Sequence, residues 1–294
     1  MSTGDWQAAA VAAERPQLVG LGYRLTGRVQ VAEEIVQEAI LRLWSQPERP
    51  RRPGAWLRTV VTRLGLDHLK SAAHRRETYL GPWLPEPWLA EGPEAQVAMA
   101  ESVEMGLLVA LEGLGPSQRA AWLLRDVFDE DYADIAACLG TSAANARQLV
   151  RRARARLSAL RRTSPRQTTL EAERLAQFVD AVRQADLEGL QALLAEDVES
   201  WSDGGGVASA ARVVIRSRTK VALATVKLAR LTPSRVVGTP AWVNGGPGVV
   251  LFDGDSVYAV VCLSVDDGQV TRIWTIRNPH KLAHVAARTL QQAW

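Results

Sequence analysis

Three groups of residues in this chain of 294 have the types and spacing to do chemistry. Glu199, Asp203 and His280 are acid–base groups, and a carboxylate in an apolar pocket can act as a general base. Gly204-Gly205-Gly206 could cradle a phosphate, but it lacks the Lys-Ser/Thr and helix start of a P-loop. Its plainer use is a turn that only glycine fits. The third group is basic: Arg147, Arg151, Arg152, Arg154, Arg156, Arg161 and Arg162, with no Asp or Glu between Asp134 and Glu171. Such a run favours phosphate binding through counterion release.

The arginines need a helix to present them. Asp131 to Leu139 has helical spacing, Gly140-Thr141 breaks it, and Ser142 can cap a new helix, which gives a helix-turn-helix. On the new helix Ala146, Leu149, Val150, Ala153, Leu157 and Leu160 form an apolar stripe. Ala144, Gln148, Arg151 and Arg152 therefore point outward, flanked by Asn145 and Arg147, on a face a major groove would accept. The competing use of these arginines is a solvated, solubilising helix face.

The formal net charge of +3 lies in the part up to Arg166; the remainder is balanced. A nucleic-acid partner is expected for the first part only. Cys138 and Cys262 offer neither a disulfide framework nor metal-ligand spacing, so no metal or cofactor is expected. The start lacks a signal-peptide pattern, and no apolar run approaches the roughly 20 residues of a membrane span. These features suggest a cytoplasmic protein with no membrane partner.

In the first block Arg15 to Gly27 reads as a helix, and Val31 to Trp44 as a second with the stripe Ala32, Ile35, Val36, Ala39, Ile40, Leu43 and Trp44. Its other face carries Glu34, Glu38, Leu41 and Ser45, suited either to protein docking or simply to solvent. A third helix from Gly54 aligns Trp56, Thr59, Arg63, Leu66 and Lys70, and ends in His74-Arg75-Arg76. An aromatic with cations in a row suits unstacked single-stranded bases, although a lone Trp near a helix start is commonly core.

Ala32 to Trp44 closely resembles region 2.2 of bacterial sigma factors. Ala55-Trp56-Leu57-Arg58 through Asp67-His68-Leu69-Lys70-Ser71 resembles regions 2.3 and 2.4, and Leu114 to Leu157 resembles region 4. Two such blocks with a short link have the layout of the extracytoplasmic-function group. The resemblance implies that Glu34, Gln37, Glu38, Leu41 and Arg42 bind core RNA polymerase at the β′ clamp helices, with a further contact at the β flap. It implies that Trp56, Arg58, Thr59, Arg63, Lys70, Arg75 and Arg76 open and read the −10 element of promoter DNA. Ser142, Asn145, Arg147, Gln148, Arg151 and Arg152 would read the −35 element. Many family members have Asn at the position of Arg63.

Tyr79 to Pro93 holds too many prolines and glycines for a helix, and its Trp83 and Trp88 are expected to anchor on a domain surface. Ala95 to Leu111 returns to helical spacing. Beyond Ser164-Pro165, Thr169 to Ala195 reads as two helices hinged near Asp186. Then come a strand over Val198 to Asp203, another near Val213 to Ile215, and a helix over Thr219 to Leu231. A strand meander follows, with turns at Asn244-Gly245, Asp253-Gly254 and Asp267-Gly268. Helices followed by antiparallel strands give an α+β domain.

This domain resembles the SnoaL-like branch of the NTF2-like cone fold. Three stretches tighten the likeness: Trp83-Leu84-Pro85-Glu86-Pro87, Asp203-Gly204-Gly205-Gly206 and Asn278-Pro279-His280-Lys281-Leu282. Together they resemble the marks of extracytoplasmic-function sigma factors with a fused SnoaL-like extension. Relatives usually have Lys at Val207 and Asp at His280. The expected protein is multidomain: a region 2 module over 1–78, a linker over 79–100, a region 4 module over 101–165 and a SnoaL-like regulatory domain over 166–294.

The resemblance implies that the extension is a built-in regulator, contacting the linker and the polymerase-binding block in place of a separate anti-sigma protein. It could also hold an unidentified small ligand. Two other functions are weighed against the sigma factor: a helix-turn-helix regulator with a ligand domain, and a SnoaL-like enzyme with a DNA-binding appendage. No catalytic residue is assigned.

Overall fold

The computed structural model describes residues 5–77, 79–89, 104–158 and 168–291. The chain forms two compact units: Met1–Thr78 with Leu107–Arg161, and Tyr79–Gly106 with Arg162–Trp294. The two helical modules share one unit, and the linker belongs with the C-terminal domain.

The helical unit contains α1 (Asp5–Thr26), α2 (Val29–Trp44), α3 (Pro53–Glu77), α4 (Met105–Glu112, whose first two residues fall in the other unit), α5 (Pro116–Trp122), α6 (Tyr132–Leu139) and α7 (Ala143–Ser158). The first helix begins at Asp5 and runs through Pro16, well before the expected Arg15. It stops where Gly27 turns to a φ of 68°. On α2, Ala32, Ile35, Val36, Ala39 and Leu43 are buried as the spacing predicts, Ile40 is half-buried, and Val31 is buried as well. Trp44 is not: it is 57% exposed, beside Leu41 at 50%. The stripe narrows at its end, leaving an apolar pair on the face that carries Glu34 and Glu38.

After α5 a π turn (Leu123–Val127) leads toward α6. Gly140, with a φ of 63°, closes α6 in the left-handed conformation that ends helices. Ser142 Oγ accepts from the backbone N–H of Asn145 at 3.2 Å, which opens α7 as expected. Ile135, Ala136 and Cys138 of α6 pack on Ala146 and Val150 of α7 and on Ala121 and Leu124.

The second unit holds α8 (Thr168–Gln184), α9 (Leu187–Leu193), β1 (Leu194–Asp203), β2 (Ile215–Arg216), α10 (Arg218–Leu231), β3 (Val237–Val243), β4 (Gly246–Asp253), β5 (Ser256–Asp266), β6 (Gln269–Ile276) and α11 (Pro279–Gln291). Asp186 caps α9 by accepting from Gly189 N at 2.9 Å, so the expected hinge is a helix start. The sheet order is β2-β1-β6-β5-β4-β3. Asn244-Gly245 and Asp267-Gly268 have positive φ at both positions, which suits tight hairpins.

Two features depart from the expectation. The first strand pairs parallel with β6, joining the two ends of the domain, where an antiparallel sheet was expected. The helix α11 was not foreseen at all. One sheet face is covered by α8, α9 and α10 through Leu175, Phe178, Leu190, Val221 and Val226 against Val249, Leu263 and Ile273.

Ile135 is fully buried in the helix-turn-helix core. Ile135→Ala should lower stability by about 2–5 kcal/mol. Chemical denaturation of the full chain checks this, and a loss under about 1 kcal/mol would mean that the site collapses around the smaller side chain.

Candidate nucleic-acid interface and linker site

The outer face of α7 is open. Ser142, Asn145, Arg147, Gln148, Arg151 and Arg152 are all exposed, while Ala146, Val150, Ala153 and Leu157 are buried. Local contacts order several of these side chains. Asn145 Nδ2 donates to Thr141 Oγ1 at 2.8 Å, Arg151 donates to Gln148 Oε1 at 2.9 Å, and the Arg147 guanidinium lies 5.3 Å from the Tyr132 ring centre. Arg154 makes a forked pair with Asp126, which draws it away from the reading face. Arg161 and Arg162 lie outside the described residues.

On α2 the expected docking residues Glu34, Gln37, Leu41 and Arg42 are exposed, and Glu38 is partly so. Arg42 donates to Glu38 across one turn at 2.8 Å. This is a surface pair, which a partner can displace at little cost.

The α3 residues divide differently from the expected line. Trp56 and Thr59 are half-buried, and Arg63 and Lys70 are exposed, but Leu66 belongs to the core. Lys70 pairs with Asp67 at 3.2 Å. Arg58 is only 14% exposed and is held between Glu14 at 2.8 Å and Glu130 at 2.7 Å. Arg75 and Arg76 lie in the last turn of α3, and their side chains are outside the described residues.

The linker site is built on the end of β1. Asp203 is fully buried, and its carboxylate is saturated with donors. The Tyr79 hydroxyl and Gly205 N (3.0 Å) donate to Oδ1; Leu84 N (2.8 Å) and Lys281 Nζ (2.7 Å) donate to Oδ2. Lys281, buried on α11, also donates to the Leu84 carbonyl and stands 3.9 Å from the centre of the Trp83 ring. Burial first, then the bond to Asp203, pushes the Tyr79 hydroxyl above its ordinary pKa, so it stays protonated as a donor.

Asn278 completes the arrangement. Its Nδ2 donates to the Tyr79 oxygen at 2.9 Å, and its Oδ1 caps α11 by accepting from His280 N at 3.0 Å. Gly205 has a φ of 60°, and a Cβ there would sit 2.2 Å from Asn278 Nδ2, so this turn requires glycine. Leu84, Pro85, Glu86 and Pro87 are buried, and Trp83 is half-buried. Further along, His284 Nε2 meets the Pro87 carbonyl at 2.7 Å, which places the proton on that nitrogen. Trp88 N donates to Asn244 Oδ1 at 3.2 Å, and Asn244 N to the Trp88 carbonyl at 2.9 Å.

The sequence pointed to Asp203, Gly205, Asn278 and Lys281 but missed Tyr79, Asn244 and His284. His284 follows Lys281 by one helical turn, a spacing that could have marked it. The three acid–base candidates are not brought into one pocket. Asp203 is consumed by the linker, Glu199 is held by Arg216 at 2.8 Å and Trp201 at 3.2 Å, and His280 is exposed. Val207, at 66% exposure, and His280 both stand outside the buried cluster, so these two departures from the common pattern leave it intact.

A helix-turn-helix with an exposed basic face, a three-helix block in the same unit and a sheet-bearing tail define a DNA-binding protein with an appended domain. Residues 10–75 match Sigma-70 region 2, and residues 104–157 match Sigma-70 region 4. The chain is 40% identical over 285 residues to the ECF RNA polymerase sigma factor SigJ of Mycobacterium tuberculosis, covering 91% of this chain and 90% of that protein. It is 31% identical over 292 residues to the probable ECF sigma factor SigI of the same species, covering 96% and 97%. The crystal structure of M. tuberculosis SigJ superposes with a TM-score of 0.76 at 36% identity, covering 94% of this chain and 98% of that one. The chain belongs to the extracytoplasmic-function RNA polymerase sigma factors, and it directs core RNA polymerase to promoters to initiate transcription.

Lys281→Met leaves the Asp203 carboxylate buried without its cation. The change should destabilise the sheet-bearing unit by about 3–5 kcal/mol and expose the Tyr79–Leu89 segment to protease. Urea unfolding with limited proteolysis checks both effects, and an unchanged cleavage pattern would show that the segment is held by other contacts.

Proposed function

We propose that the exposed face of α2, carrying Glu34, Gln37, Glu38, Leu41 and Arg42, docks on the β′ clamp helices of core polymerase, with region 4 reaching the β flap. The α3 face with Trp56, Thr59, Arg63 and Lys70 then opens and reads the −10 element, and α7 reads the −35 element through Gln148, Arg151 and their neighbours. The C-terminal domain regulates this by holding the connection between the two promoter-binding modules.

The observation that carries the regulatory part is the saturated Asp203 carboxylate. It ties Tyr79 and Leu84, which follow directly on region 2, to β1 and α11 of the tail. A linker so held has far fewer conformations than a free one. The span between the −10 and −35 modules therefore depends on whether the tail keeps its grip. The same saturation argues against catalysis, because full burial and four donors leave a substrate no approach to the carboxylate. The region 2 match disfavours an ordinary repressor or activator.

Run-off transcription with sigma-free core polymerase tests this directly. Wild type should yield a promoter-dependent transcript, and Lys281→Met should change its amount while the start site stays fixed. Arg151→Ala or Gln148→Ala should weaken −35 binding by about 1–3 kcal/mol if a base-edge contact is lost, with relaxed selectivity there. Unchanged −35 footprints in both variants would mean that α7 reads DNA through another face.

A further inference from the structure

Within the helical unit the two reading surfaces are not equally available. The outer face of α7 is open, but the α3 face that carries Trp56, Thr59 and Arg63 forms one wall of a cleft of about 290 Å³. The other wall is the first half of the helix-turn-helix, through Glu130, Asp134, Ala137 and Cys138.

The cleft is closed by specific polar contacts. Arg63 donates from Nε to the Cys138 carbonyl at 3.1 Å and from Nη2 to the Ala137 carbonyl at 2.8 Å. Those carbonyls lie at the C-terminus of α6, where Gly140 N and Thr141 N both go to Ala136 O instead. The end of a helix leaves such acceptors open and carries partial negative charge, so a guanidinium suits the position well. Arg58 pairs with Glu130, whose side chain is only 5% exposed, and Arg52 reaches Asp134 at 3.0 Å and Glu130 at 3.4 Å. The Cys138 thiol points at the Thr59 carbonyl at 3.8 Å.

We infer that Arg52, Arg58 and Arg63 form an intramolecular clasp with the helix-turn-helix that covers the −10 face and must open before that element can be engaged. The Nε–Nη2 edge of Arg63, the edge that suits a bidentate contact to a base, is occupied while it donates to the α6 carbonyls. The covered groups belong to α3 and α6, and the −35 residues of α7 take no part. The closed unit is thus able to find a −35 element but not to melt a −10 element. Promoter engagement becomes ordered, with −35 contact first and −10 opening after release. This inference rests on the sigma-factor reading of α3.

A cross-link across the cleft tests it. In full-length protein carrying Cys262→Ser, Thr59→Cys would face the native Cys138. Joining the two thiols removes two electrons and two protons, which an added oxidant takes up; burial raises the Cys138 thiol to a pKa of about 11, so the step is slow. Opening is read as permanganate reactivity of −10 thymines, with core polymerase and a promoter selected from random sequence using the reduced protein. A −35 footprint runs in parallel.

The oxidised protein should keep its −35 footprint and lose −10 opening at least tenfold, and reductant should restore it. Equal opening in both states of a cross-linked sample, or failure of the pair to cross-link under oxidant, would overturn the clasp. No opening in either state, and none by the Cys262→Ser parent that retains Thr59, would count against the sigma-factor reading itself. As a second variant, Glu130→Gln with Asp134→Asn removes the anionic half without touching a reading residue. It should raise the rate of opening severalfold at limiting polymerase, and an unchanged rate in a protein that melts cooperatively would contradict the inference.

Discussion

A single buried carboxylate organises the C-terminal half of the molecule. Asp203 ends β1, and an ionised group with no exposure is tolerable only where every lone pair is met. Its four donors come from three places in the chain: Tyr79 and Leu84 of the connecting segment, Gly205 of the turn, and Lys281 of α11. The requirement to satisfy that charge therefore folds distant segments onto one point. It explains why the turn after β1 must be glycine, why Asn278 caps α11, and why Trp83 lies beneath an ammonium group. The parallel pairing of β1 with β6 brings Asp203 beside Ile276, and Arg277 N and Asn278 N both donate to its backbone carbonyl.

The helical half works by a different balance. Its cations serve two masters, since residues suited to DNA phosphate also suit carboxylates and helix C-termini. Where Arg151 and Gln148 merely brace each other in the open, the arginines around the start of α3 are already occupied. Exposed pairs of this kind contribute little each, about 0–1 kcal/mol, so the arrangement can give way to a polyanion. The partly buried Arg58–Glu130 pair is the firmer part of it.

Much of this was legible in the sequence, for identifiable reasons. The hairpins of the sheet were marked by Asn-Gly and Asp-Gly pairs whose positive φ the chain adopts. The helix-turn-helix was marked by Gly140 and Ser142, whose roles are local and need no tertiary information. Linear order could not supply the neighbours. That β1 would lie parallel to β6, or that Glu130 would sit under Arg58, depends on contacts between residues far apart in the chain. The Arg58–Glu130 pair was not legible, because an arginine on a helix looks the same in sequence whether it faces DNA or a buried glutamate. Trp44 was misread because helical periodicity sets a direction and not whether anything covers it.

The proposed surface for polymerase recognition is the acidic face of α2, where Leu41 and Trp44 stand exposed beside Glu34 and Glu38. The most direct measurement is a fluorescence anisotropy titration of the labelled full chain with sigma-free core RNA polymerase, repeated with Glu34→Lys and Glu38→Lys together. The account predicts saturable one-to-one binding that the charge reversal weakens at least tenfold while the helical unit keeps its melting transition. Absence of binding by the wild-type chain, or equal binding by the reversed variant, would contradict it.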